Sequence, residues 1–320
     1  MLIKFDDAAQ LIKSGKLLHI AGSEGLLRKL PKGKWIGGST EYFMSREGGN
    51  VSDDMLFVTE FPYESHYVES YSASEVKNVA NDAYASGFSI LIVPFDSIVH
   101  REYAENAAGF LDMFLKPVVG WISGLNLSKS EQTPIAVNGT TGEVFFDKAV
   151  CLHIEVPEGK TANINIVNIF EEADDSPIVT FNEEGFTVEK CFVDNEEVVL
   201  AEYLEKNGID TKLPLIGSYS GTGINVSFRS IEDGAVNFYA PVFCGIEYRF
   251  AKKIPDYMEA FQSRIEALNV SGVAFSCNCI LNFLYGGLQG KKMETFEGPI
   301  TFGEIAYQLV NQTLVYVTVE

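Results

Sequence analysis

The chain has 320 residues, of which 46% are hydrophobic and 21% charged. That length allows about two domains of ~150 residues each, and the composition is that of a globular chain with a sizeable core. The formal net charge of −20 repels a nucleic-acid backbone and an anionic membrane, so neither is expected as a partner.

The opening stretch "MLIKFDDAAQLIKSG" carries Asp6 and Asp7 and only a short apolar run, so no secretion signal is read there. No stretch approaches the ~20 apolar residues of a membrane-spanning helix. The five cysteines, Cys151, Cys191, Cys244, Cys277 and Cys279, are odd in number and scattered. They fit a reduced, cytoplasmic chain better than a disulfide framework.

In chain order, Asp6 is placed to cap a short helix over 7–14 that ends at Gly15. Segments 16–22, 34–40 and 55–61 read as strands, with a short helix between the first two, stopped by Pro31. Val76, Val79, Ala80 and Ala83 share one face of a predicted helix from Ser74 to Gly87. "FSILIVPF" (88–95) is a continuous apolar run and predicts a buried strand. A second helix follows, with Tyr103, Ala107, Phe110, Leu111 and Phe114 inward, and "PVVGWISG" (117–124) returns as a strand. From 133 to 170 the chain is strand-rich.

The acidic stretch "EEADDSP" (171–177) is the expected boundary, giving domains 1–170 and 171–320. Beyond it, strands at 178–181 and 186–193 precede a helix capped by Asp194 or Asn195 that runs to Gly208. A β meander over 223–251 follows. Pro255 opens an amphipathic helix with Met258, Phe261, Ile265 and Leu268 on one side. "VAFSCNC" (273–279), "ITFGEIAYQL" and "TLVYVTVE" close the chain as strands. The expected class is α+β, with two domains of mixed, largely antiparallel sheets flanked by helices.

Four places invite a functional reading. Gly37 and Gly38 follow an apolar strand, where glycine suits either a tight turn or close backbone approach to a ligand. Ser39 and Thr40 add hydroxyls and backbone N–H groups suited to an anion such as a carboxylate. The spacing matches neither a Walker loop nor a dinucleotide fingerprint. Trp121, between Gly120 and Gly124 on a strand, suits either stacking on a ligand or core packing. Cys277 and Cys279 would face the same side of a strand. They lack the further ligands of a zinc site, and a cysteine nucleophile needs a basic partner. Glu304 follows Gly303 in an apolar run, and glutamate is rarely buried without a partner. It suits an ammonium group, a lysine or arginine across a domain interface, or a partly exposed surface position. Asn311, Gln312 and Thr313 suit either a turn or the lining of the same cleft.

These same residues carry a resemblance to the FIST domain proteins. "LPKGKWIGGSTEYF" is similar to that family's early "lP…iiGcSTaGei", "FSCNC" resembles its "fSCxgR", and "GPITFGEIAYQLVNQTLVYVTVE" resembles its closing "gfytyGEIa…hNqTltl". "PVVGWISGLNL" and "FVDNEEVVLAEYLEKNGID" fall where the family has a second glycine-rich strand and the start of its C-terminal module. The matches cover most of the chain in order. Gly38 stands where the family usually has cysteine, Ile280 where it has arginine, and Val310 where it has histidine.

The resemblance implies a sensory protein with FIST N-like and C-like modules that binds a small ligand, such as an amino acid or related metabolite. It implies no catalysis, cofactor or metal. The residues it assigns to a ligand site between the modules are Gly37, Gly38, Ser39, Thr40, Trp121, Ser276, Cys277, Phe302, Gly303, Glu304 and Asn311. No output domain is recognised on the chain, so a separate signalling partner protein is expected. Two alternatives stand beside it: an interaction module without ligand, docking through apolar segments such as 281–288, and a hydrolase or transferase using Cys277.

Overall fold

The computed structural model describes residues 1–129, 132–219, 222–268, 270–293 and 295–320. The fold is α+β, and among the described residues the strands form four six-stranded sheets and one three-stranded sheet. The first sheet is wholly N-terminal, in the order Leu2–Lys4, Met55–Phe61, Leu17–Gly22, Trp35–Ser39, Ala136–Asn138, Glu143–Phe145. Against it lies the helix Phe5–Lys13, which buries Ala8, Ala9 and Ile12 and ends before Gly15 at φ +80°.

Two further sheets form the centre. One runs Gln308–Val310, Glu304–Ala306, Val118–Ser123, Gly87–Pro94, Ala149–Glu155, His66–Tyr71. The other runs Ala162–Val167, Leu314–Val319, Val273–Cys279, Gly298–Thr301, Tyr42–Ser45, Gly48–Val51. Each therefore takes strands from both sides of residue 170, and Leu314–Val319 pairs antiparallel along all of Ala162–Val167. The apolar run at 88–95 is buried on both faces, as its composition requires. One apolar cluster, with Phe43, Phe57, Ile90, Trp121, Phe275 and Val317, draws on the first sheet and both central ones. Another packs the helices against the central sheets, with Val99, Tyr103, Phe261, Ile280 and Phe302.

Segment 179–250 builds the remaining two sheets around its own core of Val179, Phe181, Leu200, Phe238 and Tyr248. The helix expected from Asp194 or Asn195 starts later, at Leu200–Lys206. Both Asp194 (φ 49°) and Asn195 (φ 71°) instead occupy the left-handed region, joining Lys190–Val193 to Glu196–Val199 in a tight hairpin. Two consecutive positive φ values match the twist of a two-residue hairpin, and Asp and Asn tolerate them best after glycine.

Other expectations change too. The helix predicted from Ser74 to Gly87 is reduced to a 3-10 turn at Val76–Asn78 and one helical turn at Val79–Asp82, and the first helix starts before Asp6, with Lys4 at its N-cap. The helix Ile98–Asn106, capped by Ser97 Oγ accepting from His100 N at 3.1 Å, buries Tyr103 but stops before the predicted apolar face is complete. Leu111, Phe114 and Leu115 are 67%, 59% and 80% exposed. Segment 281–288, expected as a docking edge, mostly enters the core: Ile280–Tyr285 is a helix that buries Leu281 and Phe283. Among the described residues no helix is long and apolar enough to cross a membrane.

Candidate functional site

Glu304 begins a short strand and pairs with Trp121 on one side and Val310 on the other. Its side chain is fully buried. Thr313 Oγ1 donates to Glu304 Oε2 at 2.8 Å, and Thr301 Oγ1 lies 2.9 Å from Oε1. Neither arginine nor lysine pairs with it among the described residues. Burial pushes its pKa up to about 8, against the smaller stabilisation of the anion by Thr301 and Thr313. Glu304 is therefore mainly a neutral acid at pH 7. Thr301 Oγ1 is also 3.2 Å from the carbonyl of Asn278. Oε1 thus takes a hydrogen bond from Thr301 and Oε2 one from Thr313, the contacts that partly offset the effect of burial.

Trp121 is buried, and its indole Nε1 donates to His19 Nε2 at 2.8 Å. Because indole only donates, Nε2 must accept and the imidazole proton sits on Nδ1. Burial lowers the His19 pKa to about 3, keeping the ring neutral. The glycines nearby serve this packing. A Cβ on Gly38 would stand 2.6 Å from Ile92 Cγ2 and 2.8 Å from Trp121 Cη2, and one on Gly37 would stand 2.7 Å from the Ile20 carbonyl. Phe302 covers Gly124, with ring atoms from 1.9 Å to where a Cβ would sit.

The polar members of the expected site are engaged by the fold itself. Ser39 Oγ donates to Gly124 O, Thr40 Oγ1 to Ile300 O, and Ser276 Oγ to Glu297 O. Cys277 Sγ donates to Gly120 O at 3.4 Å, and burial raises its pKa well above the ordinary thiol value. A buried thiol without a base is a poor nucleophile. Cys277 packs between the sheets, whereas Cys279, the last residue of its strand, packs with the helical cluster.

Gly38, Trp121, Cys277 and Glu304 thus do come together, but in solid interior around Gly120 and not around an opening. Beside them, Glu41 is the carboxylate most densely surrounded by polar side chains. Asn126 Nδ2 (2.6 Å), Lys129 Nζ (2.9 and 3.0 Å) and Gln132 Nε2 (2.9 Å) all donate to it. Burial opposes its ionisation, but these donors outweigh that and hold its pKa below the usual value. Glu41 pins the chain after Ser123 onto Thr40–Tyr42. Its surroundings were not legible in the sequence, because its partners lie 85 to 91 positions away.

Asn311 leads outward. Its Oδ1 accepts from Ser227 N at 2.9 Å, and its carbonyl accepts from Asn225 Nδ2 at 3.1 Å. Gln312 Oε1 accepts from Ser227 Oγ. Asn225 and Asn168 exchange amide hydrogen bonds at 3.0 and 3.1 Å. This buried network ties the segment 179–250 to the closing strands, and Gln312 takes a left-handed φ of 52° to present its amide.

Next to the network lies a two-lobed cleft. The larger lobe, ≈ 630 Å³, opens between the edge strand Gln308–Val310 and the edge strand Thr222–Val226. Ile166, Ile224, Tyr307 and Val310 give it an apolar lining, with Asn168, Asn225 and Thr313 at its base. The smaller lobe, ≈ 270 Å³, carries Glu105, Glu184, Phe243 and Cys244. Ala108, Tyr219, Ile224 and Gln308 line both. None of the residues assigned to a ligand site from the sequence lines either lobe; Asn311 reaches it through Asn225 and Glu304 through Thr313.

Fold and site together define an α+β protein with a closed, largely apolar interior and a cleft where its C-terminal strands meet segment 179–250. The chain matches a family of unknown function (DUF6976) over residues 3–320 and belongs to that family. No curated protein and no solved structure matches it.

Proposed function

We propose that the chain is a cytoplasmic sensory protein that binds a small ligand in this cleft and signals through a separate partner protein. The cleft carries the reading. Its two lobes have the size of small-molecule sites, and their apolar walls with a few convergent polar groups are the usual chemistry of such sites. The resemblance to FIST domain proteins supports the same class and implies an amino acid or related metabolite as ligand. Thr313 gives occupancy a route inward, because it lines the cleft and donates to the buried Glu304. The ligand site is thereby moved from the Gly37–Thr40 and Cys277 region to the cleft.

A thermal-shift panel of amino acids, amines and related metabolites tests the reading. A binder at millimolar concentration raises the melting temperature by mass action, and Ile224→Asp, which puts a charge on the apolar wall, abolishes the shift. If no compound stabilises the fold, the ligand role fails.

A second reading has its own observation. Leu111, Phe114 and Leu115 are exposed together, and Phe114 also lines the cleft. Adjacent exposed apolar side chains mark contact surfaces, which suits the docking of an output partner at the cleft's rim. Replacing Leu111 and Leu115, which line neither lobe, with serine would leave ligand binding intact and remove partner capture.

A further inference from the structure

The smaller lobe of the cleft has a consistent chemistry. Tyr219 and Phe243 stand edge to face, with ring centroids 6.2 Å apart and planes at 89°. Two rings at a right angle form a corner whose electron-rich faces attract a cation. Glu105 and Glu184 line the same lobe. Among the described residues, no lysine, arginine or histidine lines either lobe. The wider protein, at −20, adds a field of the same sign. In the larger lobe three of the polar side chains are already engaged: Asn168 and Asn225 bond each other, and Thr313 donates to Glu304. What that lobe offers an occupant is mainly the apolar surface of Ile166, Ile224, Tyr307 and Val310.

We infer that the ligand is a small organic cation, with an ammonium head in the corner formed by Tyr219, Phe243, Glu105 and Glu184 and an apolar body in the larger lobe. This rests on the proposal that the cleft is a ligand site, and it narrows the ligand from amino acids to amines. The carboxylate of a free amino acid would meet the two glutamates with no cationic side chain to hold it, and like charges at close range disfavour binding.

Calorimetry on the full chain with four probes tests the assignment: benzyltrimethylammonium, phenethylamine, phenylalanine and hydrocinnamate. Both amines are expected to bind, more weakly as salt rises, with phenylalanine weaker and hydrocinnamate not binding. The double variant Glu105→Gln with Glu184→Gln keeps an acceptor for the Cys244 N–H, which Glu184 Oε1 accepts at 3.2 Å, and leaves the melting temperature unchanged. It should weaken both amines by about tenfold, the scale of one decade in affinity per ~1.4 kcal/mol. Tyr219→Leu should weaken benzyltrimethylammonium more than it weakens phenethylamine. Equal binding by wild type and the double variant overturns the assignment. So does binding of hydrocinnamate as tight as that of the amines; if Ile224→Asp removes it, the cleft survives as a ligand site for another class. Failure of all four probes overturns the amine assignment, and the broader metabolite panel then decides the cleft itself.

Discussion

Thr313 Oγ1, in the turn before the last strand, donates at 2.8 Å to Glu304 Oε2 on the strand Glu304–Ala306. This one contact joins the buried acid to the wall of the cleft. It explains why a carboxylate stands in an apolar run: it is a neutral acid clasped by two threonines. Its environment fixes a pH dependence. The folded pKa of about 8 lies above the ordinary glutamate value, so the native state holds a proton that the unfolded chain has released. Stability from this group is full below the unfolded pKa, falls as pH rises towards 8, and has no more to lose beyond it. The maximum slope is that of one proton, about 1.4 kcal/mol per pH unit. Denaturant titrations from pH 5 to 9 should show this fall in the wild type and not in Glu304→Gln. Parallel profiles for the two proteins would contradict a buried neutral acid.

The histidines act on the opposite flank. Burial lowers the pKa of His19 to about 3 and of His100 and His153 to about 4. Each stays neutral in the fold while the unfolded chain takes up a proton below its ordinary pKa of ~6.5. Stability from these groups is present above that value and is lost as pH falls through it. Together with Glu304 they place maximal stability near pH 6.5. His19→Gln should make the acid flank shallower, read by the same titrations; an unchanged flank would mean that His19 titrates normally.

Gly38→Ala tests the packing beneath Trp121. The added methyl meets Ile92 and Trp121 at 2.6 and 2.8 Å, and overpacking a filled core costs typically ~1–3 kcal/mol. The expected loss is read in the denaturation midpoint. Wild-type stability in this variant would mean that Trp121 has room to move, and would reopen it as a mobile, ligand-facing ring.

Cysteine accessibility gives a quick check of the whole interior. Cys151, Cys191, Cys277 and Cys279 are buried and Cys244 is exposed. One thiol should react rapidly with an aromatic disulfide reagent in the native state, and Cys244→Ser should abolish that phase. A fast phase that survives the substitution would expose another cysteine, and at Cys277 would revive a nucleophilic role.

The sequence carried the regular parts of this fold well. The strands at Leu17–Gly22, Trp35–Ser39, Met55–Phe61, Gly87–Pro94 and Val118–Ser123 are short apolar runs whose neighbours break cleanly, so local pattern suffices. The helix Tyr257–Glu266 also follows from local signals, with Phe261 and Ile265 inward, although Asp256 caps it where Pro255 was expected to open it. Asp194 and Asn195 misled because the same residues favour helix caps and left-handed hairpin turns, and only the strand pairing decides between them. The site was less legible. Glycines beside Trp121 read equally as a ligand cradle or as room for an indole. Asn168, Asn225 and Thr313 converge from distant segments, and no spacing rule connects them. Glu304 stood out correctly as unusual, but its threonine partners, not an ammonium group, account for it.

The cleft is the central claim, and titration with benzyltrimethylammonium followed by amide hydrogen exchange tests it most directly. Slowed exchange should concentrate in Thr222–Val226 and Gln308–Thr313, the strand and the segment that flank the larger lobe, and should vanish in Ile224→Asp. Protection confined to the Gly37–Thr40 strand and the Cys277 region, or none anywhere at saturating millimolar ligand, would contradict the account.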